Sequence, residues 1–173
     1  MEKVRWGFIG AGYIAKLALY PALLNSNDGE IYAVGSKDRE RGLALSPSGL
    51  VYTDYDELLS DPKVEAIYIS LPNSLHIEWS IKAMRAGKHV LCEKPAAMNV
   101  AELKEAIAVA NETGLIFMEA SWNRWHPRTL RLKEIVDSGV IGEVKTIRSA
   151  FTYDGLDPYN IRAIHELGGG GLY

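Results

Sequence analysis

A chain of 173 residues with 47% hydrophobic and 24% charged residues can bury a real core, and its length corresponds to one domain or one domain with part of a second. A formal net charge of -3 offers no basic field to hold nucleic acid, and no apolar run approaches membrane-spanning length, so neither nucleic acid nor a membrane is an expected partner. The opening MEKVRWGFIGAG has neither the apolar core nor the cleavage site of a signal peptide, and the single cysteine, Cys92, has no internal partner, so a reduced, cytoplasmic compartment is the expectation.

The first apolar run, VRWGFIG (residues 4–10), reads as a strand buried on both faces because it is continuous rather than alternating. It leads into Gly10-Ala11-Gly12-Tyr13-Ile14-Ala15, a G-x-G-x-x-A variant of the dinucleotide fingerprint, set between a strand and a helix as the motif requires. Gly10 allows the tight turn, Gly12 lets backbone approach a pyrophosphate, and Ala15 is small enough for close packing of helix on strand. The start of the helix at Tyr13 and Ile14 offers free N–H groups and a positive dipole end. Ile14, Leu17 and Ala18 mark the apolar face of that helix, and Pro21 is expected to break or kink it near Tyr20.

The second run, IYAVGS (31–36), ends where an NAD-binding protein places an acid for the ribose hydroxyls. Ser36 stands there instead, followed by Lys37 and Arg39, a set that accepts a 2′-phosphate by hydrogen bond and charge. NADP(H) is favoured over NAD(H); Asp38 keeps NAD open, and Lys37 with Arg39 also reads simply as an exposed first helical turn.

AIYIS (66–70) is the next strand, followed by Leu71-Pro72-Asn73 and a helix with Ile77, Ile81 and Met84 on its buried face and Gly87 closing it. HVLCE (89–93) follows, with Cys92 reading as a small buried hydrophobe. Asn99 and Glu102 form a capping-box pattern ahead of a helix with Leu103, Ile107 and Ala110, which Gly114 ends. LIFMEA (115–120) completes the strand series. Strand and helix alternation with right-handed crossovers predicts a doubly wound α/β sheet of Rossmann type over residues 1–120.

After Ala120 the rhythm changes. A helix is expected over Arg128 to Asp137, closed by Gly139, and EVKTIRSAFTY (143–153) alternates like a half-exposed strand of an antiparallel sheet. Residues 121–173 thus read as the start of an incomplete α+β second domain, and the chain as part of a protein about twice as long. Gly168 to Gly171 are the one local composition bias.

Ligands of an open parallel sheet bind outside the carboxyl ends of its strands, where Glu93-Lys94-Pro95 and Leu71-Pro72-Asn73 both fall. A lysine there, partly desolvated, suits hydrogen bonding to a substrate hydroxyl and sharing of its proton, and Pro95 gives the side chain a rigid base. No His, Cys or carboxylate grouping has metal-ligand spacing.

Through RWGFIGAG, DYDELLSDPKVEAIYISLPNSLH, KAMRAGKHVLCEKPAAMN, MEASWNRWHP and IVDSGVIGEV the sequence resembles the glucose-fructose oxidoreductase, inositol dehydrogenase and MocA family. EASWNRWHP and NIRAIHELGGGGLY are most similar to its branch of dihydrodiol and xylose dehydrogenases. The resemblance implies hydride transfer between a nicotinamide cofactor and a sugar or cyclic-diol hydroxyl carbon, with Lys94, in the E-K-P motif, as catalytic residue. It further implies that Pro72 and Asn73 border the nicotinamide, that Leu71 belongs to the cofactor site, that Glu93 lines it, and that Arg124 and Trp125 reach the cofactor from the domain junction. His76 matches a frequent family histidine, and its place at a helix start makes helix capping or packing the alternative to direct cofactor contact; His89, His126 and His165 read as structural. The family's aromatic acid/base follows the glycine run in a segment beyond Tyr173, and the full-length parent is expected to be a homo-oligomer. A dinucleotide-binding regulator, or a cofactor module without turnover, is the alternative function.

Overall fold

A computed structural model describes residues 2–150, 152 and 160–169. The five apolar runs become strands β1 (Val4–Ile9), β2 (Gly29–Gly35), β4 (Ala66–Ile69), β5 (His89–Cys92) and β6 (Phe117–Glu119). A two-residue strand that sequence reading passed over, β3 (Val51–Tyr52), adds one edge. All pairings are parallel, in the order β3-β2-β1-β4-β5-β6. The chain builds outward from β1 to β3, then crosses back to lay β4 on the other side of β1. The strand order reverses between β1 and β4, the place where such sheets open a crevice at their carboxyl ends.

Both faces of the sheet are buried, as continuous apolar runs require. Ile9, Ile67, Ile69 and Val90 pack with Ile77, Ile81 and Met84 of α4 (His76–Arg85) and with Ala106 and Val109 of α5 (Val100–Thr113). Phe8, Val34, Tyr68 and Leu45 form the opposite layer with Ala15 and Leu23 of the first helix. Gly87 and Gly114 take the left-handed conformation at φ 80° and 69°, and Asn99 accepts from the Glu102 N–H at 3.0 Å, so the expected helix ends and cap are present.

Four expectations need correction. Of the break or kink expected near Tyr20, the break does not occur: the helix is π-wound over Ala15–Leu19 and continues as α1 (Tyr20–Leu24). Pro21 has no N–H to give, and the turn before it widens so that the Tyr20 N–H reaches Ala15 O, five residues back. The extra residue per turn rotates the apolar face onto Ala15, Leu19 and Leu23, leaving Leu17 and Ala18 exposed. On α5, Ile107 is exposed and Ala106 with Val109 take the buried face. β6 is an edge strand with Met118 and Glu119 exposed, not a strand covered on both sides. Glu143 to Ala150 form no strand; no described strand lies beside them to supply a ladder, and Phe151 and residue 153 fall outside the described residues.

Helix α6 (Pro127–Asp137) forms as expected, its first turn capped by His126 Nδ1 accepting from the Arg128 N–H, with Gly139 at φ 69° beyond its end. Two shorter helices, α2 (Arg39–Leu43) and α3 (Tyr55–Ser60), flank the β3 edge and are N-capped by Asp38 and Asp54.

Candidate cofactor site at the carboxyl ends of the strands

Gly10 ends β1 at φ 94°, a conformation that favours glycine, and its N–H donates to Gly35 O at 2.9 Å, tying the bend to the end of β2. Ser70, at the end of β4, donates through Oγ to Gly10 O at 3.0 Å. A Cβ on Gly10 would lie 3.1 Å from both Ser70 O and Ser70 Oγ. Gly12 differs: a Cβ there would meet only Ser70 O, at 3.7 Å. The space over the second glycine is therefore open, and the helix starting at Tyr13 presents first-turn N–H groups that have no intrahelical acceptor. Tyr13 is exposed, Ile14 half-buried and Ala15 fully buried against the sheet. An open cradle of backbone donors at a positive helix end fits a pyrophosphate.

At the end of β2, Ser36 is buried and its N–H donates to Tyr52 O at 2.9 Å. Lys37 is exposed, and Arg39 Nη1 donates to Val51 O at 3.3 Å. Asp38 Oδ1 accepts from the Arg41 N–H at 3.1 Å, so this carboxylate caps α2. Arg41 was missed by sequence reasoning: its Nη2 donates to Ala11 O at 3.2 Å, spanning from α2 to the glycine loop. A hydroxyl and three cationic side chains thus stand around the end of β2, with one guanidinium leaning toward the phosphate bend.

The loop after β5 is held at three points. Glu93 N donates to Ile69 O at 2.9 Å, the last rung between β4 and β5, and Glu93 Oε1 accepts from the buried Tyr68 hydroxyl at 2.7 Å. Pro95 O lies 2.7 Å from His76 Nδ1, and Ala96 N donates to Glu119 Oε1 at 2.9 Å. Of the loop residues Glu93 to Ala96 only Lys94 is exposed, and its peptide bond to Pro95 is cis. The partial desolvation expected for Lys94 is not supplied by the described residues. Two strand positions separate β5 from β1, so Lys94 leaves the sheet about 10 Å from the glycine bend. Burial, reinforced by the neighbouring Glu93 carboxylate, pushes the Tyr68 phenol above its ordinary pKa, keeping it a hydrogen-bond donor. Tyr68, Glu119 and Ser70 carry this geometry, and none was identified from sequence.

Leu71, Pro72 and Asn73 form the neighbouring loop after β4, all half-buried. His76 is buried, with Nε2 2.9 Å from Leu71 O, so its ring stands between the two loops. Asn73 Nδ2 donates to Gly168 O at 2.8 Å, which brings Gly168 to the same mouth. Gly168 sits at φ 80°, where a Cβ would be 2.7 Å from Asn73 Cβ and 2.6 Å from Met98 Sδ; the residue is small because two chains touch there. Arg124 and Trp125 lie in the short helix Trp122–Trp125 after β6, exposed, with the guanidinium 5.8 Å from the Trp125 ring centre. Among the described residues these two side chains meet each other rather than the glycine loop.

Cys92 is fully buried, and burial pushes its thiol up to about 12. Among the described residues no three His, Cys, Asp or Glu side chains gather as metal ligands, and no helix is long and apolar enough to cross a membrane. A cavity of about 640 Å³ beside α3, lined by Tyr32, Tyr52 and Asp61 among others, includes none of the sequence-predicted site residues.

Comparison with known proteins agrees with the fold. Residues 4–121 match the Gfo/Idh/MocA model, an oxidoreductase family with an NAD-binding Rossmann fold. An uncharacterized oxidoreductase of Rhizobium meliloti is 44% identical across 100% of this chain and 53% of its own length. Mouse trans-1,2-dihydrobenzene-1,2-diol dehydrogenase is 35% identical over 87% of this chain and 46% of its own. A 3-ketoreductase from Actinomadura kijaniata, solved in complex with NADP and TDP-benzene, matches with a TM-score of 0.77 at 37% identity, covering 82% of this chain and 44% of that one. The chain spans about half the length of the curated relatives it matches. With the glycine bend, the strand order and the family match in agreement, the chain belongs to the Gfo/Idh/MocA oxidoreductases.

Proposed function

We propose that this chain forms the cofactor side of an NADP(H)-preferring oxidoreductase that acts on a hydroxyl-bearing carbon of a sugar or cyclic diol. Residues 1–120 are the cofactor domain in this reading, and residues from 121 onward begin the substrate domain. The observation that carries it is Lys94: an exposed ammonium group on a loop fastened at Glu93, Pro95 and Ala96, at the same sheet edge as the open glycine cradle.

The bound nicotinamide supplies or accepts the hydride. Gly12 and the first turn after it hold the pyrophosphate through backbone N–H groups, while Ser36, Lys37, Arg39 and Arg41 take the 2′-phosphate. Lys94 would donate a hydrogen bond to the substrate oxygen, which orients it and stabilises the negative charge that grows there as the hydroxyl proton leaves, or, in the reverse direction, as hydride reaches the carbonyl carbon. The aromatic acid/base that takes the proton belongs, by the family pattern, to the segment after the glycine run. The NADP complex of the Actinomadura relative and the diol substrate named for the mouse relative support this choice of cofactor and substrate class.

The test is a fluorescence titration of the purified chain with NADPH and NADH. The reading expects NADPH to bind at least about ten-fold more tightly, the equivalent of one charge-assisted contact to the extra phosphate. Preference for NADH would overturn the role given to Ser36, Lys37 and Arg39, and negligible binding of both would overturn the cofactor assignment.

A further inference from the structure

We propose that His76 is a positioning residue that locks the nicotinamide-side loop to the Lys94 loop, so that the redox ring and the lysine are placed as one unit. The inference rests on the cofactor reading above but assigns the histidine no contact with the cofactor. His76 opens α4 and is 1% exposed. Its Nδ1 lies 2.7 Å from Pro95 O and its Nε2 2.9 Å from Leu71 O. Both partners are backbone carbonyls, which only accept, so a hydrogen bond to either needs an N–H on the ring. A neutral imidazole has one such group, so the tautomer decides which carbonyl receives the hydrogen bond while the other nitrogen stays in contact with the second loop.

The place of this ring in the sheet gives the contacts their meaning. The last rung between β4 and β5 is the Glu93 N–H to Ile69 O bond. Beyond it the two chains part, one into Leu71-Pro72-Asn73 and the other into Lys94-Pro95, and no backbone ladder bond joins them among the described residues. The imidazole takes over as the cross-link. Its ring is rigid, and Ser80 Oγ donates to His76 O at 2.7 Å, fixing the helix turn from which the ring projects. Lys94 is the residue immediately before one anchored carbonyl, and Pro72 immediately after the other. A shift of one loop is therefore passed to the other through about five atoms of a planar ring.

Two substitutions separate the two contacts. In His76→Asn the amide reaches the position of Nδ1 and keeps Pro95 but releases Leu71; in His76→Gln it reaches the position of Nε2 and keeps Leu71 but releases Pro95. The probes are NADPH and 2′-phospho-ADP-ribose, which carries the same phosphates but no nicotinamide. We expect 2′-phospho-ADP-ribose to bind both variants within about two-fold of the unsubstituted chain, and NADPH to lose about five- to ten-fold with His76→Asn, the size of one hydrogen bond. Equal weakening of both ligands, or of neither, would overturn the proposal and leave His76 a packing residue. Failure of the unsubstituted chain to bind 2′-phospho-ADP-ribose would instead count against the cofactor reading itself. Should the variants not fold, the unsubstituted chain still decides: the His76 ring resonances must move on addition of NADPH and stay in place with 2′-phospho-ADP-ribose, and movement with both or with neither overturns the coupling.

Discussion

Replacing Tyr68 by Phe removes one oxygen and leaves the packing. The ring is 1% exposed, sits 5.1 Å from the Phe8 ring in an edge contact, and fills the layer beneath the first helix, all of which a phenylalanine preserves. What is lost is the 2.7 Å hydrogen bond to Glu93 Oε1. Bonds to charged acceptors contribute about 1.5 to 3 kcal/mol, and Glu93 is half-buried, so its freed oxygen recovers some water and the lower figure applies. A loss of about 1.5 kcal/mol, with a urea dependence near 2 kcal/mol per molar, lowers the denaturation midpoint by about 0.7 M. Equilibrium urea unfolding followed by far-ultraviolet dichroism reads this directly. A double-mutant cycle with Glu93→Gln assigns the loss to the pair, since the two losses must fall short of adding. An unchanged midpoint for Tyr68→Phe, or strict additivity with Glu93→Gln, would refute the claim that the phenol holds the Lys94 loop from below.

Two other perturbations probe different parts of the account. Gly168→Ala places a Cβ 2.7 Å from Asn73 Cβ at a backbone φ of 80°, so residues 160–169 should leave their seat and trypsin should cut after Arg162 several-fold faster; an unchanged rate contradicts the docking of Gly168 on Asn73. For Cys92, the folded thiol titrates at about 12 against an ordinary value of 9.0, so below pH 9 both states keep the proton and stability is unaffected. Between pH 9 and 12 only the unfolded thiol ionises, and stability falls by up to about 1.4 kcal/mol per pH unit; Cys92→Ala should remove that share, and identical pH dependence of the two chains would contradict the burial.

Much of the sheet was legible because a strand covered on both faces has to be written as a largely apolar run, which β1, β2, β4 and β5 are apart from Arg5, Glu30 and His89 near their starts. Gly10, Gly87 and Gly114 were legible because a positive φ leaves its mark on a single residue. The winding before Pro21 was not, since the choice between breaking a helix and widening one turn depends on how the following turn packs, and Leu23 is buried there. The motif around Lys94 drew attention to that residue and His76 was a named candidate, whereas Tyr68 and Glu119 carried no motif. Tyr68, His76 and Glu119 reach the Glu93 to Ala96 loop across 19 to 25 residues of sequence, and Arg41 reaches Ala11 across 30, distances at which no local pattern operates. Tyr68 did leave a trace: a phenol inside the all-buried AIYI must find a partner, and the neighbouring strand ends on a glutamate.

The central claim is that one dinucleotide spans the strand ends from the glycine bend to Lys94. The most direct measurement is an amide nitrogen-proton correlation spectrum of the labelled chain titrated with NADPH. The account predicts that the largest shifts fall on Gly10, Gly12, Tyr13 and Ser36 together with Asn73 and Lys94, in one saturable transition. Shifts confined to the cavity beside α3, around Tyr52 and Asp61, with Gly12 and Lys94 unmoved, would contradict it.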